Sequence, residues 1–448
     1  MRGANGVHID DLTPDELDTG ILLKNPGFRH PVVIRYREAM RPRAAHLTVH
    51  GPVLAVRKID LHRLRAAPQS PPQVPAPADP MKILIWQWYR RGGPPRFSAL
   101  LTEAMRSLPG IEPLLSLPNH VEALRAAMLT QSDLPVDMYD SVPTLLRRLV
   151  ELPFAVGAMT RRIAPLHFDF AICAQPHMFD LVMAGALRRL HVPFVVLVHD
   201  ADAHPGDGLP LQMILQRQLC ARAAAVGALS THVGESLHRQ GVVGPKGRPL
   251  LQLTHPPVTY ELPKLETPAG PGLRLLCFGR LLPYKGLDML ADALARLGPP
   301  PGMTVRVVGS GPETPTLEAL RALPGVTVEN RWVADEEIGG LLAWASALVL
   351  PYREASQSGV AAAALAAGRR VLSTRVGGLV EQLSREPRAI MCEPNVDSLV
   401  DGLQTLLAVS GEPEPAAPTL DAKAAWREMA ASLMHQVEQL GILPATVR

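Results

Sequence analysis

Cysteine is scarce in this sequence. Cys173, Cys220, Cys277 and Cys392 are the only four in 448 residues, and none forms a CxxC pair. That excludes a disulfide framework and a structural zinc site built on paired cysteines. Cys173 and Cys277 stand inside apolar runs, where a thiol behaves as a small hydrophobe. Excess charge is missing too. Lys and Arg total 45 against 42 Asp and Glu, a net charge of +3, which gives no electrostatic footprint for a nucleic-acid partner. No run of about 18 apolar residues is free of charge, so no membrane-spanning helix is expected. The N-terminus lacks the apolar core of a signal peptide. These absences predict a cytoplasmic protein in a reducing compartment, at most peripheral at the inner face of a membrane.

Apolar residues, by contrast, make up 47% of the chain, enough for two or three full cores at roughly 100–200 residues per domain. Residues 66–80 carry Pro68, Pro71, Pro72, Pro75, Pro77 and Pro80. That spacing prevents regular helix and predicts an extended linker. MKILIW follows at once, a short apolar run of the kind that forms buried parallel strands. Met81 is therefore expected to open a domain complete in itself. Residues 1–65 contain β-like alternation in HPVVIRY and HLTVHGPVLAVRKIDLHRL. They read either as a small β unit or as an upstream extension of the chain.

From Met81 onward, strand and helix patterns alternate. KILIW, FDFAICA, FVVLVHD and AAVGALS read as strands, with helices such as RFSALLTEAMRSL and MFDLVMAGALRRL between them. The alternation restarts after THPPV with LRLLCFG, VRVVGSG, VTVENR, ALVLPY and RRVLSTR. This predicts α/β architecture: two doubly wound, Rossmann-like domains at 81–260 and 271–415, with a proline-broken hinge near 255–271. AAWREMAASLMHQVEQL predicts a final amphipathic helix within 420–445. LLRRLVELPFAVGAMTRRIAPL (145–166) reads as a surface helix-loop-helix, and its mixture of arginine with apolar residues also suits contact with an anionic membrane.

Ligands of open parallel sheets bind beyond the carboxyl ends of the strands, and the chemically suggestive residues fall there. In FGRLLPYKG, Gly279 ends a strand, Arg280 follows at its mouth, and Lys285 precedes a helix. A planar fork of donors and a mobile point charge suit a diphosphate. In VVGSGPE, Gly309 and Gly311 flank a turn able to expose amides. In LPYREASQSGV, Ser358 and Gly359 open an alanine-rich helix whose first N–H groups attract anions. Gly377 and Gly378 form a tight loop able to face a sugar ring, with Glu381 placed to reach a ribose or sugar hydroxyl or to cap the next helix. In the first half, Gly92 and Gly93 leave room beside a strand end. His199 and Asp200 finish a second strand, and His177 follows a third.

Together the segments FGR…KG, VGSGP, LPY…SGV…A…G and T.VGG..E resemble the donor domain of the GT-B glycosyltransferases of family 4. The likeness is strongest over 273–385. It implies two Rossmann-like domains facing a cleft, the first for the acceptor and the second for a UDP- or GDP-sugar. It implies that Arg280 and Lys285 neutralise the leaving diphosphate, that His199 touches the sugar or orients the acceptor, and that the anomeric configuration is retained. The acceptor would be a saccharide or lipid-linked hydroxyl, as in polysaccharide or glycoconjugate biosynthesis. The family's usual pair of glutamates is replaced by Ala355 and Ala363, with Glu354 one place out of register. In this the chain resembles a subset carrying a PY…SG loop. No cofactor is expected. No Asp-x-Asp metal motif is read in a suitable loop, so the cations are expected to replace a metal ion. Alternatives are an inactive GT-B scaffold and a nucleotide-sugar 2-epimerase.

Overall fold

The structure is a computed structural model, describing residues 20–24, 32–34, 55–59, 79–119, 121, 132–203, 206, 210–263, 272–410 and 421–443. It divides into two units, Met1–Pro77 and Ala78–Arg448. In the first, β1 (Gly20–Lys24) pairs antiparallel with both β2 (Val32–Ile34) and β3 (Ala55–Ile59). Val32–Ile34 and Ala55–Ile59 fall inside the two alternating segments, whose other residues lie outside the described ones. Of the expected proline-rich linker, only Asp79 and Pro80 lie among the described residues.

The second unit contains two six-stranded parallel sheets. The first is assembled from β4 (Met81–Trp86), β5 (Ile111–Ser116), β6 (Phe170–Cys173), β7 (Phe194–Val198), β8 (Ala225–Ala228) and β9 (Leu250–Gln252), in the order β5-β4-β6-β7-β8-β9. Between the strands run α1 (Gly93–Arg106), α2 (Val142–Ile163), α3 (Asp180–Arg189), α4 (Pro210–Cys220) and α5 (Thr231–Arg239). Strands β6, β7 and β8 are buried at every position, as a central parallel strand covered on both faces must be. Pro113 is tolerated in β5 because β5 lies at the edge of the sheet, where one row of N–H groups needs no ladder partner.

The second sheet contains β10 (Arg274–Phe278), β11 (Thr304–Gly309), β12 (Val326–Asn330), β13 (Ala347–Leu350), β14 (Arg370–Thr374) and β15 (Ala389–Cys392). Its order is β12-β11-β10-β13-β14-β15, so the winding reverses between β10 and β13. Helices α6 (Leu287–Leu297), α7 (Pro315–Arg321), α8 (Asp335–Trp344), α9 (Gly359–Ala366), α10 (Gly378–Leu383) and α11 (Val396–Ala408) connect these strands. The final helix, α12 (Ala422–Gln439), returns to the first half. Trp426, Met429, Leu433 and Val437 enter the same core as Phe97, Leu101 and Ile83. Gln436 holds β9 through Gln252, donating to its carbonyl at 2.9 Å and accepting from its amide at 3.0 Å.

One expectation is corrected. Residues 142–163 form a single helix rather than a helix-loop-helix, with Pro153 and Gly157 inside it. Ser141 caps its start, its amide donating to Thr144 Oγ1 at 3.0 Å. Gly185 on α3 gives Val156 room to pack: a Cβ there would stand 3.0 Å from Val156 Cγ1.

Candidate functional site

The carboxyl ends of the two sheets open on a shared cavity of about 550 Å³. In the second half, the mouth of β10 builds one wall. Gly279 takes φ 125°, a conformation open to glycine. Its carbonyl lies where a Cβ on Gly309 would stand, only 1.6 Å away, so the turns after β10 and β11 can press together only if Gly309 has no side chain. Arg280 leaves this turn into the cavity, with Nη2 donating to the Tyr284 hydroxyl at 2.9 Å. Lys285 Nζ sits 3.7 Å above the centre of the Tyr352 ring and 4.8 Å from that of Tyr284. Aromatic faces attract such cations and hold them in place. Tyr352 is buried, and burial pushes its phenol well above the ordinary value.

The second wall starts α9. Ser358 Oγ accepts from the Ala361 amide at 3.2 Å, while Gln382 satisfies the backbone of Ser358 through both its amide and carbonyl. None of the described residues accepts from the N–H groups of Gly359 and Val360, both of which line the cavity. These are the orphan donors of a helix start, carrying its partial positive charge. The site therefore converges two cations and a helix N-terminus at the reversal point of the sheet, where open α/β sheets take ligands.

The first half supplies the facing wall. Gly92, at φ 80°, begins α1, and Gly93 has open space at its Cα. His199 follows β7 and is buried, edge-on to Phe97 at 4.6 Å between ring centres. Its Nε2 lies 2.9 Å from the Ala174 carbonyl and its Nδ1 3.3 Å from Gln357 Nε2. A carbonyl accepts only, so Nε2 carries the proton and Nδ1 accepts from Gln357. Burial pulls the His199 pKa below its usual value, in keeping with a neutral ring. Gln357 Oε1 is buried in the cavity wall with no partner among the described residues. Asp200 also lines the cavity, its carbonyl accepting from Gln216 at 2.8 Å.

Five expected residues fall elsewhere. Gly311 packs against the Leu281 carbonyl and gives its amide to Asn330 Oδ1 at 3.0 Å. Gly377 and Gly378 press on the carbonyls of Ala355 and Ser356, behind the cavity lining. Glu381 accepts from the amide of Thr231 at 2.7 Å, capping α5 of the first half. His177 is not among the lining residues; it packs edge-on against Tyr89, which is, at 4.8 Å, and burial pulls its pKa down to about 4.

The expectation that no Asp-x-Asp motif stands in a suitable loop is corrected: Asp200 and Asp202 follow β7, and both line the cavity. Asp202 is held by Ser236 Oγ at 2.5 Å and Gln240 Nε2 at 2.8 Å. Arg96 of α1 pairs with Asp335 at the start of α8, donates to the Thr259 carbonyl at 2.6 Å and lies 4.1 Å over the Tyr260 ring. Both members of the pair are largely buried, so it fastens the two halves across the cavity. No group of side chains suited to hold a metal ion occurs among the described residues.

Two Rossmann-like halves facing one cleft constitute the GT-B fold. The sequence places each half more closely. Residues 91–246 match the family described as Glycosyltransferase Family 4, and residues 272–409 match glycosyl transferases group 1. A GDP-mannose:glycolipid 4-beta-D-mannosyltransferase of Xanthomonas campestris pv. campestris is 34% identical over 112 residues, 22% of this chain and 30% of that protein. A D-inositol 3-phosphate glycosyltransferase of Jonesia denitrificans is 29% identical over 257 residues, 48% of this chain and 60% of its own length. The matches thus span between 30% and 60% of the length of these relatives. Among solved structures, Anabaena HepE in complex with UDP and glucose superposes with a TM-score of 0.59 at 18% identity, over 81% of this chain and 100% of that one.

Proposed function

We propose that this protein transfers a sugar from a nucleoside diphosphate sugar, with UDP or GDP as the carrier, to a hydroxyl of a saccharide or lipid-linked acceptor. The observation that carries the reading is the convergence of Arg280, Lys285 and the α9 N-terminus on one cavity. When the glycosidic bond to the diphosphate breaks, negative charge grows on the leaving oxygen. Fixed donors aimed at that charge lower the barrier, each by about 3–4 kcal/mol in comparable oxyanion sites. The two halves would close over the donor, excluding water that would otherwise hydrolyse it.

Gln357, next to the start of α9, meets His199 of the facing half. The unpartnered Gln357 Oε1 suits a sugar hydroxyl, which donates readily, and His199 fixes the amide so that this oxygen faces inward. Retention of configuration is proposed with the diphosphate accepting the acceptor's proton as the bond breaks. The cationic pair supplies the charge that a metal ion supplies in other nucleotide-sugar enzymes, so turnover is proposed to be metal-independent. These readings are tested together by incubating the protein with UDP- and GDP-sugars and a mixture of saccharide and lipid-linked acceptors. Released nucleotide and the anomeric proton of the product are followed by NMR, with and without EDTA. Donor that binds but is neither transferred nor consumed would make the protein a scaffold, and donor epimerised without an acceptor would make it an epimerase.

A further inference from the structure

We propose that α2 docks the protein on an anionic phospholipid surface, through an apolar stripe and the Arg161–Arg189 pair. The helix is apolar on two sides. Leu145, Leu152, Met159 and Ile163 face the core of the first half. Val142, Leu146, Val150 and Phe154 follow one another at four-residue intervals on another side, with Leu149 beside them. These five are 69, 57, 76, 79 and 45% exposed, respectively. A surface helix needs one apolar side for its own domain. The second is left uncovered, and it gathers five of the large exposed apolar side chains of the described surface, against two, Leu211 and Ile214, on α4.

Charge selects the occupant. Arg147 and Arg148 share Glu151, at 3.3 and 2.9 Å, and Arg148 also meets Asp137 at 3.8 Å, so both are offset by carboxylates. Arg161 and Arg189 are not. Their guanidiniums converge above Gly157, where an added Cβ would lie 3.7 Å from Arg161 Nη1 and 3.6 Å from Arg189 Nη1. No carboxylate among the described residues pairs with either. Gly157 follows Phe154 within one helical turn, so the cations stand at the end of the apolar stripe. Two converging guanidiniums repel each other unless an anion lies between them, and phosphate is the anion their planar forks fit best. Among residues 142–154 the one carboxylate is Glu151, already held by Arg147 and Arg148, so the stripe of a second copy would not supply the missing anion. An apolar face flanked by arginine is the pattern of a helix lying in a lipid interface, its side chains among acyl chains and its cations at the headgroups.

Vesicle flotation of the full chain, without nucleotide or sugar, tests this separately from the donor reading. Vesicles of phosphatidylcholine alone are compared with vesicles also containing phosphatidylglycerol. The protein is expected to float with the anionic vesicles, to remain behind with neutral ones, and to be released by salt. Val150→Asp with Phe154→Asp, and separately Arg161→Gln with Arg189→Gln, should each weaken binding more than about tenfold while leaving the melting temperature unchanged. If the aspartate pair lowers the melting temperature, Phe154→Ser alone repeats the test. Absence of binding, equal binding to both vesicle types, or binding unchanged in the variants would overturn the proposal. So would a lipid-free dimer that both variants convert to monomer, which would assign the stripe to a second copy.

Discussion

Gln357 Nε2 lies 3.3 Å from His199 Nδ1, linking the loop after β13 to the end of β7 across the cavity. The contact orients both groups: the histidine keeps its proton on Nε2, and the glutamine turns its unpartnered oxygen inward. Gln357→Ala is expected to lower kcat/KM for the donor by roughly ten- to a hundredfold, the range set by losing a buried hydrogen bond of about 1–3 kcal/mol. Steady-state kinetics check this. Unchanged kcat/KM would remove Gln357 from the site.

Arg280→Ala and Lys285→Ala should each reduce kcat by about a hundred- to a thousandfold, as loss of one fixed donor does elsewhere. Both side chains lie at the surface of the cavity, so the melting temperature should hold. Lys285→Arg is not expected to restore activity. The seat between Tyr284 and Tyr352 holds a compact ammonium 3.7 Å above the ring centre, and a planar fork would place its charge differently.

Much of this cavity could be read from the chain. Gly279, Arg280 and Lys285 fall in one short segment after β10, and Ser358 and Gly359 in another after β13, so local pattern plus the rule for open sheets locates them. Gln357 and Asp335 could not be found this way. Their roles depend on His199 and Arg96, each more than a hundred residues distant. Glu381 was misplaced for the same reason: its partner is a backbone amide in the other half. Strands β9 and β15 are only three and four residues long, too short for periodicity to separate from loops. Proline hid β5 by suppressing strand propensity at an edge that tolerates it.

Breaking the Arg96–Asp335 pair should loosen the two halves. Removing one partner of a buried pair leaves an uncompensated charge, at a cost of about 3–5 kcal/mol. Asp335→Ala is therefore expected to lower the melting temperature and raise the radius of gyration in small-angle scattering. A double change to Arg96→Met with Asp335→Leu should recover much of the stability without the closed geometry. Identical scattering from all forms would show that other contacts hold the cleft.

Stability should depend on pH through three buried groups, Asp180, His177 and His255. Asp180 is pushed up to about 7 by burial, with its Oδ1 unpartnered and its Oδ2 accepting from the His177 amide at 2.6 Å. A carboxyl whose folded pKa is raised binds its proton more tightly when folded. Its contribution is thus full below about pH 4 and is lost as pH rises to about 7. His177 and His255, both pulled down to about 4 by burial, act with the opposite sign and gain stability from about pH 4 to 6.5. Asp180→Asn removes only the falling component. Relative to the unaltered protein, it should gain stability by a few kcal/mol between about pH 4 and 7. Thermal unfolding across that range measures the difference, and parallel curves would contradict the assignment.

Metal removal gives a further expectation. With Arg280 and Lys285 supplying the positive charge, transfer should continue at an undiminished rate after dialysis against EDTA. Loss of activity restored by magnesium or manganese would instead direct attention to Asp200 and Asp202, which share the cavity.

The central claim is that Arg280, Lys285 and the start of α9 form a diphosphate cradle. Titration calorimetry with UDP and GDP, against uridine and guanosine, tests it most directly. The account predicts that at least one nucleoside diphosphate binds the protein, that its nucleoside binds far more weakly, and that Arg280→Ala combined with Lys285→Ala abolishes the difference. Equal affinity for nucleoside and diphosphate, or diphosphate binding unchanged in the double variant, would contradict it.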